Sequence, residues 1–96
     1  MIGIRKITGN SMSPMISDGD FVIYLTKILP WQTYEMGDLV VLKHAQYGTI
    51  LKRIVQVMPN KNFRLKSDHP TGISTKEIGV CSKKTIKGRV IYWTKT

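Results

Sequence analysis

No window of this chain longer than ten residues keeps an apolar stripe at i, i+3 and i+4, so there is nothing from which to build a helical core. The sequence offers short runs rich in valine, isoleucine and aromatic residues instead. They read as strands over residues 3–8, 20–26, 38–43, 49–58, 62–66 and 85–95. Two of these runs open alike, Gly19-Asp20-Phe21-Val22-Ile23 and Gly37-Asp38-Leu39-Val40-Val41. In both, glycine supplies a positive φ in the turn, and aspartate can hydrogen-bond local backbone before the apolar run begins. Gly88, inside the last run, is a candidate bulge or kink. The expectation is a mainly antiparallel, all-β domain spanning residues 1–96.

With 96 residues, 42% of them hydrophobic, the chain can bury one core. Its single cysteine, Cys81, can form neither an intrachain disulfide nor a thiolate metal site, which points to a reducing compartment, the cytoplasm. His44 and His69 lack partners at ligand spacing and are expected on the solvated surface, so no metal or cofactor is called for. The N-terminal residues lack the apolar run of a signal peptide, and no stretch of about 18 apolar residues occurs. The net charge of +9 lies wholly in the second half, where residues 52–96 hold eleven Lys/Arg against Asp68 and Glu77. That half can serve as a solvated surface or meet nucleic acid, anionic lipid or an acidic protein. The connection Ile28-Leu29-Pro30-Trp31 is apolar, and its Leu29 and Trp31 either cap the core or form an exposed lip.

The stretch Gly9-Asn10-Ser11-Met12-Ser13-Pro14-Met15 holds two serines with different prospects. Ser13 before Pro14 reads as the N-cap of a short helical turn. Ser11 falls just ahead of that turn, where its hydroxyl can face a cleft and its N–H a developing oxyanion. A serine nucleophile needs a base, and a lysine serves only when neutral. From a reference pKa of about 10.4, neutralising it at pH 7 takes about 4.6 kcal/mol, which desolvation must supply. In Thr49-Ile50-Leu51-Lys52-Arg53-Ile54-Val55, alternation places Lys52 on one face with Ile50 and Ile54, and Arg53 on the other. Lys43 and Lys87 are easier to solvate. The alternative for Lys52 is a strand lysine that snorkels to water.

In order along the chain, Ile7-Thr8-Gly9-Asn10-Ser11-Met12-Ser13-Pro14-Met15 with Asp18-Gly19-Asp20, then Gly37 to Leu42, then Ile50 to Val55 resemble the boxes of the serine–lysine peptidases. That superfamily unites LexA-type self-cleaving repressors with type I signal peptidases. Arg64 to Pro70 and Ile86 to Val90 are similar to the closing segments of the LexA-like branch. The resemblance implies that Ser11 is the nucleophile, Lys52 the general base, and the Ser11 N–H part of the oxyanion hole. Gly9, Asn10, Met12 and Pro14 would shape or support the serine-bearing turn. It also implies coiled antiparallel sheets with a short helical turn after the nucleophile, and a polypeptide substrate bound as an added extended strand. Lys66-Ser67-Asp68-His69 is a degenerate relative of the Gly-Asp-Asn-type box of signal peptidases, and a supporting role for Ser67 or Asp68 has no further warrant in the sequence.

With ten residues ahead of Ser11, and the one alanine, Ala45, followed by Gln46, cleavage of another polypeptide in trans is expected rather than self-cleavage. The alternative is a non-catalytic LexA-like module that dimerises or docks a partner in the DNA-damage response or in transcription regulation. A third reading, a nucleic-acid-binding barrel, would use Tyr92-Trp93 beside Arg89 and Lys95 for stacking.

Overall fold

The computed structural model describes residues 2–9, 12, 15–26, 33–60, 62–68 and 80–94. Seven strands form one antiparallel sheet: β1 (Ile2–Lys6), β2 (Phe21–Leu25), β3 (Leu39–His44), β4 (Gly48–Val57), β5 (Phe63–Lys66), β6 (Val80–Cys81) and β7 (Ile86–Thr94). Their spatial order is β1-β2-β7-β3-β4-β5-β6. Six of them match the runs read from the sequence to within a residue or two. The two-residue β6 is an addition, as is the 3-10 turn at Lys83–Thr85.

Period-2 alternation gives the central strands two buried faces. On one face Val40 and Leu42 of β3, Ile54 of β4, and Phe63 and Leu65 of β5 pack with Tyr34, Cys81 and Ile86. The other face carries Leu39, Val41, Leu51, Val22 and Val90, covered by Ile7, Met12 and Ile16. β3 therefore reads as an unbroken apolar run, Leu39 to Leu42, because both of its faces are dry.

Both Gly-Asp entries are built as the sequence suggests. Gly19 and Gly37 have φ of 89° and 95°. Each aspartate then accepts from the backbone three residues back: Asp20 Oδ2 from Ser17 N–H at 2.9 Å, and Asp38 Oδ2 from Glu35 N–H at 2.8 Å.

β7 carries two register shifts, opposite Ile23/Tyr24 of β2 and opposite Val41/Leu42 of β3. The second falls beside Gly88, as expected of a bulge. A Cβ on Gly88 would meet the Leu25 backbone, with its carbonyl carbon at 2.8 Å. Glycine is thus what lets β7 lie against β2 here.

Three expectations need correction or lie outside the described residues. His44 is half-buried rather than solvated: its Nδ1 accepts from Gln46 N–H at 3.0 Å and Tyr47 N–H at 3.3 Å, closing the β3–β4 hairpin. Alternation also splits the Tyr92-Trp93 pair, because Trp93 packs against the second core while Tyr92 points out, so no two-ring stacking platform forms there. Leu29, Trp31 and His69 lie outside the described residues. No helix among the described residues is long and apolar enough to cross a membrane.

Candidate active site

The segment between β1 and β2 carries the serine, and its ends are tied together. Ile7 N–H donates to Asp20 C=O at 2.7 Å, and Gly19 N–H to Ile7 C=O at 2.8 Å. Gly9 N–H donates to Asp18 Oδ1 at 2.8 Å. These bonds close the neck of the connection between β1 and β2. Gly9 has a φ of +87° with open space where a Cβ would stand, so its backbone conformation rather than crowding calls for glycine. Ile16 N–H donates to Met12 C=O at 3.1 Å. Met12 and Ile16 are buried in the second core and anchor this segment against the sheet. Ser11, Asn10, Ser13 and Pro14 lie outside the described residues.

Lys52 does not snorkel. It is 1% exposed, the bulkiest of the fully buried side chains, and directly opposite Val40 in the sheet. Its Nζ donates to Ser67 Oγ at 2.8 Å, and Ser67 is itself 4% exposed. Burial pushes the Lys52 pKa down, because the ammonium loses hydration that one neutral hydroxyl cannot replace. The nearby charge of Asp68 opposes that shift in part. The direction is the one the sequence reading calls for, a lysine whose charged form is disfavoured by burial.

Asp68 is engaged by Arg53 through a two-pronged contact, Nε to Oδ1 at 2.9 Å and Nη2 to Oδ2 at 2.8 Å. Arg53 also donates from Nη1 to Gly37 C=O at 2.9 Å and from Nη2 to Met15 Sδ at 3.5 Å. Asp68 N–H points at Met12 Sδ, 3.4 Å away. One guanidinium therefore joins the Gly37 turn, the serine-bearing segment and the segment that holds Ser67. The planar fork suits this task, and a lysine ammonium could not copy it. Sequence reasoning saw Arg53 only as the outward neighbour of Lys52. Register, which the sequence does not display, brings the group together: β4 pairs with β5 at Arg53 and Lys66, and one further step sets Ser67 across from Lys52.

Remaining groups lie apart from this centre. Cys81 is buried, with its thiol pKa pushed up by desolvation, as expected for a packing residue. A pocket of about 340 Å³ lined by Leu42, His44, Asn62, Cys81 and Ser82 contains none of Lys52, Ser67 or Arg53. Among the described residues no three His, Cys, Asp or Glu gather as metal ligands.

No curated protein matches this chain. The family model described as Peptidase S24-like matches residues 2–91, a span that takes in the serine-bearing loop, Lys52, Ser67 and β7 almost to its end. The chain belongs to the Peptidase S24-like family, within the serine–lysine peptidase superfamily of LexA-like repressors and signal peptidases.

Proposed function

We propose that this domain is a serine endopeptidase that cuts another polypeptide with a Ser11–Lys52 dyad. The observation that carries the reading is Lys52: dry, its pKa lowered by burial, and fixed by Ser67 at 2.8 Å. Burying a lysine opposes folding, and a site that only docks a partner has no use for it. In the proposed reaction the neutral Lys52 amine takes the Ser11 hydroxyl proton as Oγ attacks the scissile carbonyl. Charge develops on the carbonyl oxygen, where the Ser11 N–H stabilises it, with Gly9, Asn10, Met12 and Pro14 supporting the turn. Lys52 then returns the proton to the leaving amine, and water releases the acyl group by the same steps in reverse. Ser67 holds Lys52 in place throughout and accepts from it most strongly when it is charged. The substrate lies extended against the sheet, and the single cysteine is in keeping with work in a reducing compartment such as the cytoplasm.

The test is incubation of a proteome-derived peptide library with the protein, reading new N-termini by mass spectrometry. Wild type generates a defined set of termini. Ser11→Ala and Lys52→Ala reduce it to background while circular dichroism stays unchanged. Lys52→Arg is equally inactive, because a guanidinium cannot act as a base. Wild-type cleavage by Lys52→Ala would remove Lys52 as the base. A library left uncut by wild type would favour the non-catalytic docking module.

A further inference from the structure

At the end of β3 and the start of β5, the pocket of about 340 Å³ gathers hydrogen-bond donors that the fold leaves unspent. Lys43 reaches it from the end of β3, Asn62 from just ahead of β5, and Ser82 from just after β6. The Lys43 ammonium, the Asn62 side-chain amide and the Ser82 hydroxyl have no hydrogen-bond partner among the described residues. The Thr85 hydroxyl, which also lines the pocket, is already committed and donates to Ser82 C=O at 2.8 Å. An apolar wall of Leu42, Val80 and Cys81 faces these donors. Leu42 and Cys81 belong to the first core, while Val80 is exposed. An apolar wall with a few convergent polar groups is the usual make-up of a small-molecule site. The volume lies at the lower end of the roughly 300–1,000 Å³ that such sites span.

We propose that this pocket binds a short-chain organic carboxylate, its head on Lys43, Asn62 and Ser82 and its chain against Leu42, Val80 and Cys81. Sign selects the head group, because the lining offers donors and no Asp or Glu. The described acids stand at the opposite ends of these strands. Glu35 and Asp38 lie in the turn that enters β3, and Asp68 lies beyond β5. Asp18 and Asp20 precede β2, whose Phe21 pairs with Thr94 at the far end of β7. Lys83 and Lys84 follow Ser82 directly, both exposed, and add to the positive potential around the pocket. One ammonium with two neutral donors suits a single negative charge. A phosphate dianion is better met by an arginine fork or a nest of backbone N–H groups, and no arginine lines the pocket. The apolar wall selects the rest of the ligand, since a bare anion would leave it wet and a few methylenes would cover it. Occupation also fastens the outermost strand. β6 pairs with β5 only at Cys81–Phe63 and Val80–Arg64, and the ligand adds a link from Ser82 to Lys43 of β3. Neither Lys52 nor Ser67 lines the pocket, so the proposal stands whether or not the chain cleaves peptides.

The experiment is a ¹H–¹⁵N NMR titration of the whole chain with hexanoate, with hexanol as its uncharged counterpart and with inorganic phosphate, beside the thermal midpoint. Hexanoate is expected to shift the Asn62 side-chain amide and the Lys43 and Ser82 backbone amides along a saturable curve, and to raise the midpoint by mass action. Hexanol lacks the charge and phosphate lacks the chain, so each binds about tenfold more weakly or worse. Lys43→Met and Ser82→Ala each weaken hexanoate binding by about three- to tenfold, and the two together by on the order of tenfold or more. Lys43 is exposed, so its replacement keeps the fold should Ser82→Ala disturb the 3-10 turn. No saturable shift at these three residues overturns the proposal. So does hexanol or phosphate binding as tightly as hexanoate, or an unchanged affinity in Lys43→Met.

Discussion

Ser67→Ala removes one oxygen from a nearly dry contact and makes the sharpest probe of the site. In the folded protein Ser67 Oγ accepts from Lys52 Nζ at 2.8 Å, with the two residues 4% and 1% exposed, so a replacement water has little room. A hydrogen bond from a neutral donor contributes about 0.5–1.5 kcal/mol and one from a charged donor about 1.5–3 kcal/mol. On the proposed mechanism Lys52 starts neutral and becomes charged as Ser11 attacks. The lost acceptor is therefore felt about 1 kcal/mol or more harder in the transition state than in the ground state, and kcat falls about five- to tenfold. Folding stability drops by about 1 kcal/mol, the neutral-donor figure. The sign of the pH effect follows too. With no hydroxyl to receive it, the ammonium is disfavoured further, so the Lys52 titration and the rising limb of the rate profile both move to lower pH. The assays are urea unfolding, the pH dependence of kcat on a cleaved peptide, and the ¹³Cε shift of Lys52 followed through a titration. Ser67→Thr, which keeps the hydroxyl, recovers part of the rate. A Lys52 titration that stays put or moves to higher pH in Ser67→Ala would refute the reasoning, whatever happens to the rate.

Arg53→Ala works in the opposite direction: it frees Asp68 to act on Lys52, raises the lysine pKa and shifts the active limb to higher pH, while urea unfolding shows a loss of about 1–3 kcal/mol for a charged, multi-pronged contact. Lys52→Met stabilises the fold at neutral pH. The folded lysine has a lowered pKa, so wild type loses stability as pH falls from the unfolded value of about 10.4 to the folded one. The methionine's advantage is therefore largest at and below the folded pKa and fades above about 10.4, and an advantage independent of pH in urea titrations would contradict the burial account. Gly88→Ala pushes a methyl into the Leu25 backbone, which cannot step aside as a flexible side chain would, and should destabilise by about 2–3 kcal/mol or prevent folding, read as the thermal midpoint.

Strand positions were legible because each run carries its own alternation and its own turn. The twin Gly-Asp entries were readable as turns whose aspartate bonds local backbone, but not down to the N–H three residues back from which it accepts. β6 was not, since Val80-Cys81 is too short to alternate. Burial of Lys52 could be argued from Ile50 and Ile54 on either side. Its contact with Ser67 could not, because pairing across strands depends on register and a bulge in β4 shifts that register between Ile54 and Gln56. Arg53 was misjudged for a related reason: an arginine on the outward face of a strand reads as solvated until a carboxylate from another strand end is brought to meet it. His44 likewise gave no hint that its ring nitrogen would serve as an acceptor for a turn.

The order of strands in space has a bearing on how the domain comes into being. Among the seven, β7 is made last, yet it lies between β2 and β3, so the half that frames the serine-bearing loop and the half that bears Lys52 are joined within the sheet through it alone. While the chain is being synthesised both halves can emerge with nothing to register one against the other. Long-range pairing of this kind is slow to form and comes at the end. A nascent or truncated chain lacking β7 thus has the serine-bearing loop and Lys52 on separate, unaligned pieces. On the dyad reading, the ability to cut would arrive only with the finished fold.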